Sequence, residues 1–296
     1  MKRVNLVAML AVSFSLTSFV ACTSEAFTGT DASLSTTAID EAQAATVNDQ
    51  VISVADDYAN AFDANGFVQK SASQAVIGVT SADTVIVTVD KPGTTVFPKK
   101  MSIDFGTTGF TDKRGNVLKG KIYLTISNRM TIAGSTRKME YSNFFINDNS
   151  VKGLKTVTYL GLTGLPSNPA SSVGYPSWSI VASDTIVRTD GTTVIWNSNR
   201  TRTRSDNNGT PLIYWDDVYS ITGSSSGINA KGVAYTMAID AAKPLTIVGG
   251  WKFFVSGSVL ITSEKRTALL DYGDGTKDAK ATVTINGVTK TINLRK

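Results

Sequence analysis

The sequence predicts a mainly β protein: one N-terminal amphipathic helix, then a large antiparallel meander closed into a sandwich or a partial barrel. Three observations carry this reading. Apolar residues recur at helical spacing in one segment only, near residues 38–64. From about residue 83 the apolar period changes to two, in runs rich in Val, Ile, Thr and Tyr. Between those runs lie tight-turn pairs, Asp190-Gly191 and Asn286-Gly287, together with Asn147-Asp148-Asn149.

Taking the elements in order, residues 1–21 have the layout of a secretory signal. Lys2 and Arg3 open it, and the apolar run Val4 to Val20 is too short and too broken by Ser and Thr to span a membrane. Cys22 follows, the only cysteine of the 296 residues. A lone cysteine in an exported protein has no disulfide partner within the chain. The run Val20-Ala21-Cys22 makes the segment resemble a bacterial lipoprotein signal. That resemblance implies cleavage before Cys22, three acyl chains on it, and delivery to the outer membrane with Thr23 next to it. Membrane attachment through this lipid is the first expected partner. Residues 22–38 are small and polar and read as a tether.

Residues 39–66 are the expected helix. Val47, Val51, Val54, Tyr58 and Phe62 fall on one face, Asn48, Asp56 and Asp57 on others, and Asn65-Gly66 supplies a stop. Beyond it, Val85, Val87 and Val89 alternate with Thr84, Ile86 and Thr88. Ile122, Leu124 and Ile126 alternate with Lys121, Tyr123 and Thr125. Val283 and Ile285 alternate with Thr282 and Thr284. Such runs are strands with one buried face. A Pro/Gly/Ser-rich stretch at 161–179 divides the meander into two expected halves, 80–160 and 180–296. A repeated corner relates the halves: Met101-Ser-Ile-Asp-Phe-Gly106 and Ala268-Leu-Leu-Asp-Tyr-Gly273, each followed by a further Asp after a glycine-containing loop.

Composition narrows the chemistry. There is no histidine, which excludes His-dependent triads, imidazole bases and histidine zinc sites. With the single cysteine assigned to lipid, thiolate chemistry goes too, and no cofactor is indicated. Charge is divided along the chain. Residues 23–90 hold ten acidic side chains and one basic, Lys70, while residues 91–296 hold 14 acidic and 26 basic, a net of +12. A basic body of this kind meets an acidic glycan, a lipid head group, or the acidic segment of its own chain. Nucleic acid is not expected for an exported protein.

Three groups are candidate sites. Trp196, Arg200, Arg202 and Arg204 share one face of a strand, where guanidinium groups hold carboxylate, sulfate or phosphate while a sugar stacks on the indole. The alternative is a solvated strand face. Asp271, Asp274 and Asp278 surround two glycines, as oxygen ligands of a hard cation or as caps of backbone turns. Tyr214-Trp215-Asp216-Asp217-Val218-Tyr219 is an aromatic platform with adjacent carboxylates, or a core anchor.

Residues 101–296 resemble a family of uncharacterised cell-envelope lipoproteins from Bacteroidota. The resemblance is carried by Ile103-Asp-Phe-Gly106 with Gly120-Lys-Ile122, Asn199-Arg-Thr-Arg-Thr203, Asp217-Val-Tyr-Ser-Ile-Thr-Gly223, Val255-Ser-Gly-Ser258, and Leu270-Asp-Tyr-Gly-Asp-Gly275 with Ala281-Thr-Val-Thr-Ile-Asn-Gly287. It implies an all-β body at the cell envelope and no particular activity. The function expected from the whole is a non-enzymatic binding or structural lipoprotein engaging acidic glycan or another envelope component. A carrier of an apolar or acyl ligand in a curved sheet is the alternative, with a carboxylate-dependent glycosidase behind it.

Overall fold

The computed structural model describes residues 27–65, 74–80, 83–91, 95–164, 174–206 and 216–295. Cys22, the signal segment, Gly66 and Lys70 lie outside them, as do Tyr214, Trp215 and the side chain of Phe62. The protein is mainly β, with one helix before the sheet, as expected. That helix, α1, spans Gly29–Asn65. Among the described residues sixteen strands follow. They are β1 (Gln74–Thr80), β2 (Asp83–Val89), β3 (Lys99–Asp104), β4 (Phe110–Thr111), β5 (Val117–Ile126), β6 (Thr136–Ile146), β7 (Asn149–Thr163) and β8 (Tyr175–Val187). The second eight are β9 (Thr193–Asp206), β10 (Val218–Ile228), β11 (Ala234–Ile239), β12 (Leu245–Val248), β13 (Ser256–Ser263), β14 (Arg266–Asp274), β15 (Lys280–Ile285) and β16 (Val288–Asn293).

All strands belong to one antiparallel sheet whose order follows the chain, with β4 lying against β5, and β12 against β10 and β13. Of sandwich and partial barrel, a single sheet curled round one helix is the second. The path ends at β1 and β16, which are not paired with each other among the described residues.

The 161–179 stretch does not divide the meander. β7 and β8 pair from Ser150↔Val187 to Thr163↔Tyr175, so the sheet runs unbroken across the expected boundary. The repeated corner does recur in structure. In both copies the aspartate accepts a hydrogen bond from the amide two residues on: Gly106 to Asp104 at 2.9 Å, Gly273 to Asp271 at 2.8 Å. The intervening aromatic, Phe105 or Tyr272, turns into the core. Each corner glycine has positive φ, +72° and +95°, which an L side chain rarely adopts.

Turn chemistry follows the sequence at two of three places. Asn147 and Asp148 both have positive φ between β6 and β7, and so do Asn286 and Gly287 between β15 and β16, the type I′ signature. Asp190-Gly191 differs, because only Gly191 has positive φ. Asp190 instead accepts bonds from the amide and hydroxyl of Thr192.

The helix is longer than its apolar spacing indicates, and residues 29–38, read as tether, belong to it. Its 37 residues span ~55 Å. Leu34, Ala38, Ala42 and Ala45 are buried. The three alanines let the sheet approach the helix closely where large side chains would hold it off. Val47, Val51 and Val54 are buried as expected, and Tyr58 packs edge-on against Phe105 at 5.7 Å. However, the helix is not amphipathic in the ordinary sense: Asp40, Glu41, Asn48, Asp49 and Gln50 are buried as well. The sheet surrounds the middle of α1, so its polar residues need partners inside.

Candidate functional site

For Glu41 and Asp49 the partner comes from the arginine row, while Asp40 meets Arg188 and Gln50 the Lys252 carbonyl. Along β9, burial alternates from Thr193 to Arg200, with Val194, Trp196, Ser198 and Arg200 buried between exposed neighbours, and Arg202 and Thr203 are both buried beyond them. The four residues singled out on this strand do share a face, but that face is the interior. Trp196 and Arg200 are 1% and 3% exposed, so neither an open binding surface nor a solvated strand face describes them. Charge explains the inversion: β9 lies over the most acidic stretch of the helix.

Glu41 is the centre of this network. Its carboxylate accepts from Trp196 Nε1 at 2.8 Å, Tyr235 Oη at 2.9 Å and Arg200 Nη2 at 3.1 Å. Arg200 also stacks on the Trp196 ring and lies 3.5 Å from Asp49. Burial raises the Glu41 carboxyl above its ordinary range despite these donors, and does the same to Asp49 against the pull of Arg200, Arg202 and Lys155. Lys155 and Asp184, both fully buried, face each other at 3.5 Å, the amine pushed down and the carboxyl up by burial. Every carboxylate described on α1 has a cation from a strand or from a turn between strands. Asp31 pairs with Arg266, Asp40 with Arg188, Asp56 with Arg137, and Asp57 with Lys113 and Arg114.

Two clefts reach this interior from outside. The smaller, about 240 Å³, lies near the C-terminal part of the helix, where Asp56 and Asn60 meet β6 to β10. Its walls are Tyr159, Trp178 and Tyr219, and its cationic groups are Arg137, Arg202 and Arg204. Trp178 sits 5.7 Å from Tyr159 and 6.3 Å from Tyr219, and Arg202 lies over the Tyr219 ring at 3.8 Å. Asp56 is the one carboxylate lining it; it pairs with Arg137 and stands 3.9 Å from Arg202 Nη1. Donors exceed acceptors here. Arg137 Nε, Arg202 Nε and Arg202 Nη1 are buried with no hydrogen-bond partner, a costly state for charged donors unless an acceptor joins them. Arg204, at the rim, leans towards Asp217 at 3.7 Å. The predicted row is thus split: Trp196 and Arg200 are structural, while Arg202 and Arg204 reach a cleft. Trp178 and Tyr159 were missed, because the first lies within, and the second just before, the 161–179 stretch read as a boundary.

The larger cleft, about 840 Å³, runs between the middle of α1 and the tips of the β6–β7 and β8–β9 hairpins. It contains two carboxylates, Asp40 and Asp190. Asp40 is held by Arg188 at 2.7 Å and by the Ala230 amide at 2.8 Å. The Thr192 hydroxyl and amide keep the Asp190 carboxyl below its usual range, opposite to what a glycosidic general acid requires.

The remaining candidates resolve into local structure. Asp271, Asp274 and Asp278 do not converge as cation ligands. Each caps its own turn, accepting from the amides of Gly273 (2.8 Å), Thr276 (3.1 Å) and Lys280 (3.1 Å). Among the described residues no group of three or more His, Cys, Asp or Glu could hold a metal ion. Asp217 is buried and accepts from Tyr219 Oη at 3.0 Å. No helix of the described residues is long and apolar enough to cross a membrane.

No protein-family model, no curated protein and no solved structure matches the chain. The functional reading therefore rests on the geometry.

Proposed function

We propose that this protein is a lipid-anchored cell-envelope protein that binds an anionic ligand without transforming it, an acidic glycan terminus foremost, in the aromatic–arginine cleft. The observation that carries the reading is the set of buried guanidinium donors, on Arg137 and Arg202, that open on a tryptophan–tyrosine wall and have no acceptor. Carboxylate or sulfate satisfies such donors, and a sugar ring packs on indole and phenol faces. At about 240 Å³ the cleft is below the usual ~300–1,000 Å³ of small-molecule sites. It suits one terminal residue of a chain. The anchor in this proposal is Cys22, and its basis is the signal-like N-terminus.

Calorimetric titration with uronate-bearing and sulfated oligosaccharides, beside neutral ones of equal length, tests the binding. Anionic ligands should bind and neutral ones should not, with Trp178→Ala and Arg204→Gln each weakening affinity at least tenfold. Absence of binding across an acidic glycan array, or affinity indifferent to both substitutions, would overturn it. For the anchor, a Cys22→Ala chain should leave the membrane fraction.

A further inference from the structure

We propose that the larger cleft is a second and separate ligand site, which holds a single-chain amphiphile with an anionic head, an acyl carboxylate. It shares no lining residue with the aromatic–arginine cleft. Its volume, about 840 Å³, lies within the ~300–1,000 Å³ typical of ligand sites.

Shape comes from the helix. Thr36, Ile39, Gln43, Val47 and Gln50 line the cleft as one stripe along α1, and 14 residues at 1.5 Å each make it ~21 Å long. One leaflet of a bilayer's hydrocarbon core is ~15 Å deep, so an extended acyl chain fits along this stripe. Ile39, Val47, Ile186, Val194, Phe253 and Leu294 supply the apolar part of a lining that is otherwise mostly polar.

Charge sets the direction. Asp40 and Arg188 neutralise each other, and Asp190 is bound to Thr192. At the Gln50 end the balance is different. Gln50 donates to the Lys252 carbonyl at 3.2 Å, which fixes Lys252 beside this end of the stripe. The Lys252 ammonium donates to the Gly115 carbonyl at 2.6 Å, yet neither it nor Arg295 forms an ion pair among the described residues. Burial, and then the neighbouring Arg295, lower the Lys252 amine against the opposing pull of Asp112. Asp112 is committed elsewhere, accepting from the amides of Arg114 (2.8 Å) and Asn116 (2.7 Å) and from Asn116 Nδ2 (2.9 Å). A cleft with this apolar part, and with two adjacent cations at one end, matches a carboxylate head with its chain running towards Ile39.

The test uses the full chain carrying Cys22→Ala, so that no acyl group of its own competes. Octanoate, dodecanoate and dodecanol are titrated below their aggregation limits, with binding read by calorimetry. Dodecanoate should bind at least tenfold more tightly than octanoate, and at least tenfold more tightly than the uncharged dodecanol. Ile39→Glu should abolish the chain-length dependence, while Lys252→Gln with Arg295→Gln, at the cleft's edge, should abolish only the preference for the charged head. Melting curves verify that each variant folds. The proposal fails if dodecanoate does not bind, or if its binding is the same in both variants. It fails equally if only phosphatidylglycerol vesicles bind, since that is surface adsorption by the basic body.

Discussion

Aspartate and glutamate play two distinct parts in this molecule, one on the helix and one in the turns. On α1 the acidic side chains are answered from far away: the partner lies 57 residues along the chain for Asp57, 159 for Glu41 and 235 for Asp31. In the turns, Asp104, Asp271, Asp274 and Asp278 are answered by amides two residues away. The first kind ties the sheet to its core, and the second only shapes a corner. The cost of losing either should therefore differ several-fold.

Glu41→Ala should produce the largest effect. It strands the Trp196 indole N–H and the Tyr235 hydroxyl in the interior and leaves Asp49 as the only carboxylate beside the Arg200 guanidinium among the described residues, and removing one partner of a buried pair costs about 3–5 kcal/mol. Denaturant unfolding measures this directly, and a loss under 1 kcal/mol would show that the network contributes little. Next comes the Lys155–Asp184 pair. Lys155→Met alone should destabilise by about 3 kcal/mol or more, whereas Lys155→Met with Asp184→Leu should recover most of that loss, because well-packed apolar groups often replace a buried ion pair without penalty. A double variant no better than the single one would mean that the pair is needed for something besides its charge balance.

In the turns, Asp271→Ala should cost only about 1 kcal/mol, the net value of one capping bond. A larger loss would make that corner part of the core.

The smallest effect, and the sharpest separation of the two kinds, is in pH. Glu41 has a folded pKa above its ordinary 4.5. The folded state thus binds the proton more tightly, and stability falls as pH rises from 4.5 through the raised value. For Asp274 the Thr276 hydroxyl and amide hold the folded pKa below 3.8. Its contribution is present above 3.8 and is lost as pH falls through the folded value. Glu41→Gln should flatten the stability curve above pH 4.5, and Asp274→Asn should flatten it below 3.8. Equal effects in both windows would erase the distinction.

This difference also explains what could be read from the sequence. Strands and corners were legible because their determinants are local: alternation at 85–89, 122–126 and 283–285, and Asp-aromatic-Gly at 104–106 and 271–273. The shared face of Trp196, Arg200, Arg202 and Arg204 was legible for the same reason. Which side of the sheet that face occupies was not, because it depends on a helix some 150 residues earlier. One signal did point there, the concentration of acid before residue 90 and base after it. The start of the helix was hidden by Thr, Ser and Ala at 32–38, which look like a tether until a sheet closes on them. Both clefts escaped for a similar reason, since each is assembled from five or more separate segments.

The reach from Asp31 to Arg266 has a consequence in time. A chain made from its N-terminus carries the helix first and the last of its counter-charges 235 residues later. At ~5–20 residues per second that interval is roughly 10–50 s, and contacts so distant in sequence form slowly even once both ends exist. Until then the helix lacks part of its charge balance, although the partners of Asp57 and Asp56 follow by only 57 and 81 residues. The full set of ion pairs between helix and sheet therefore cannot close until nearly all of the chain has been made.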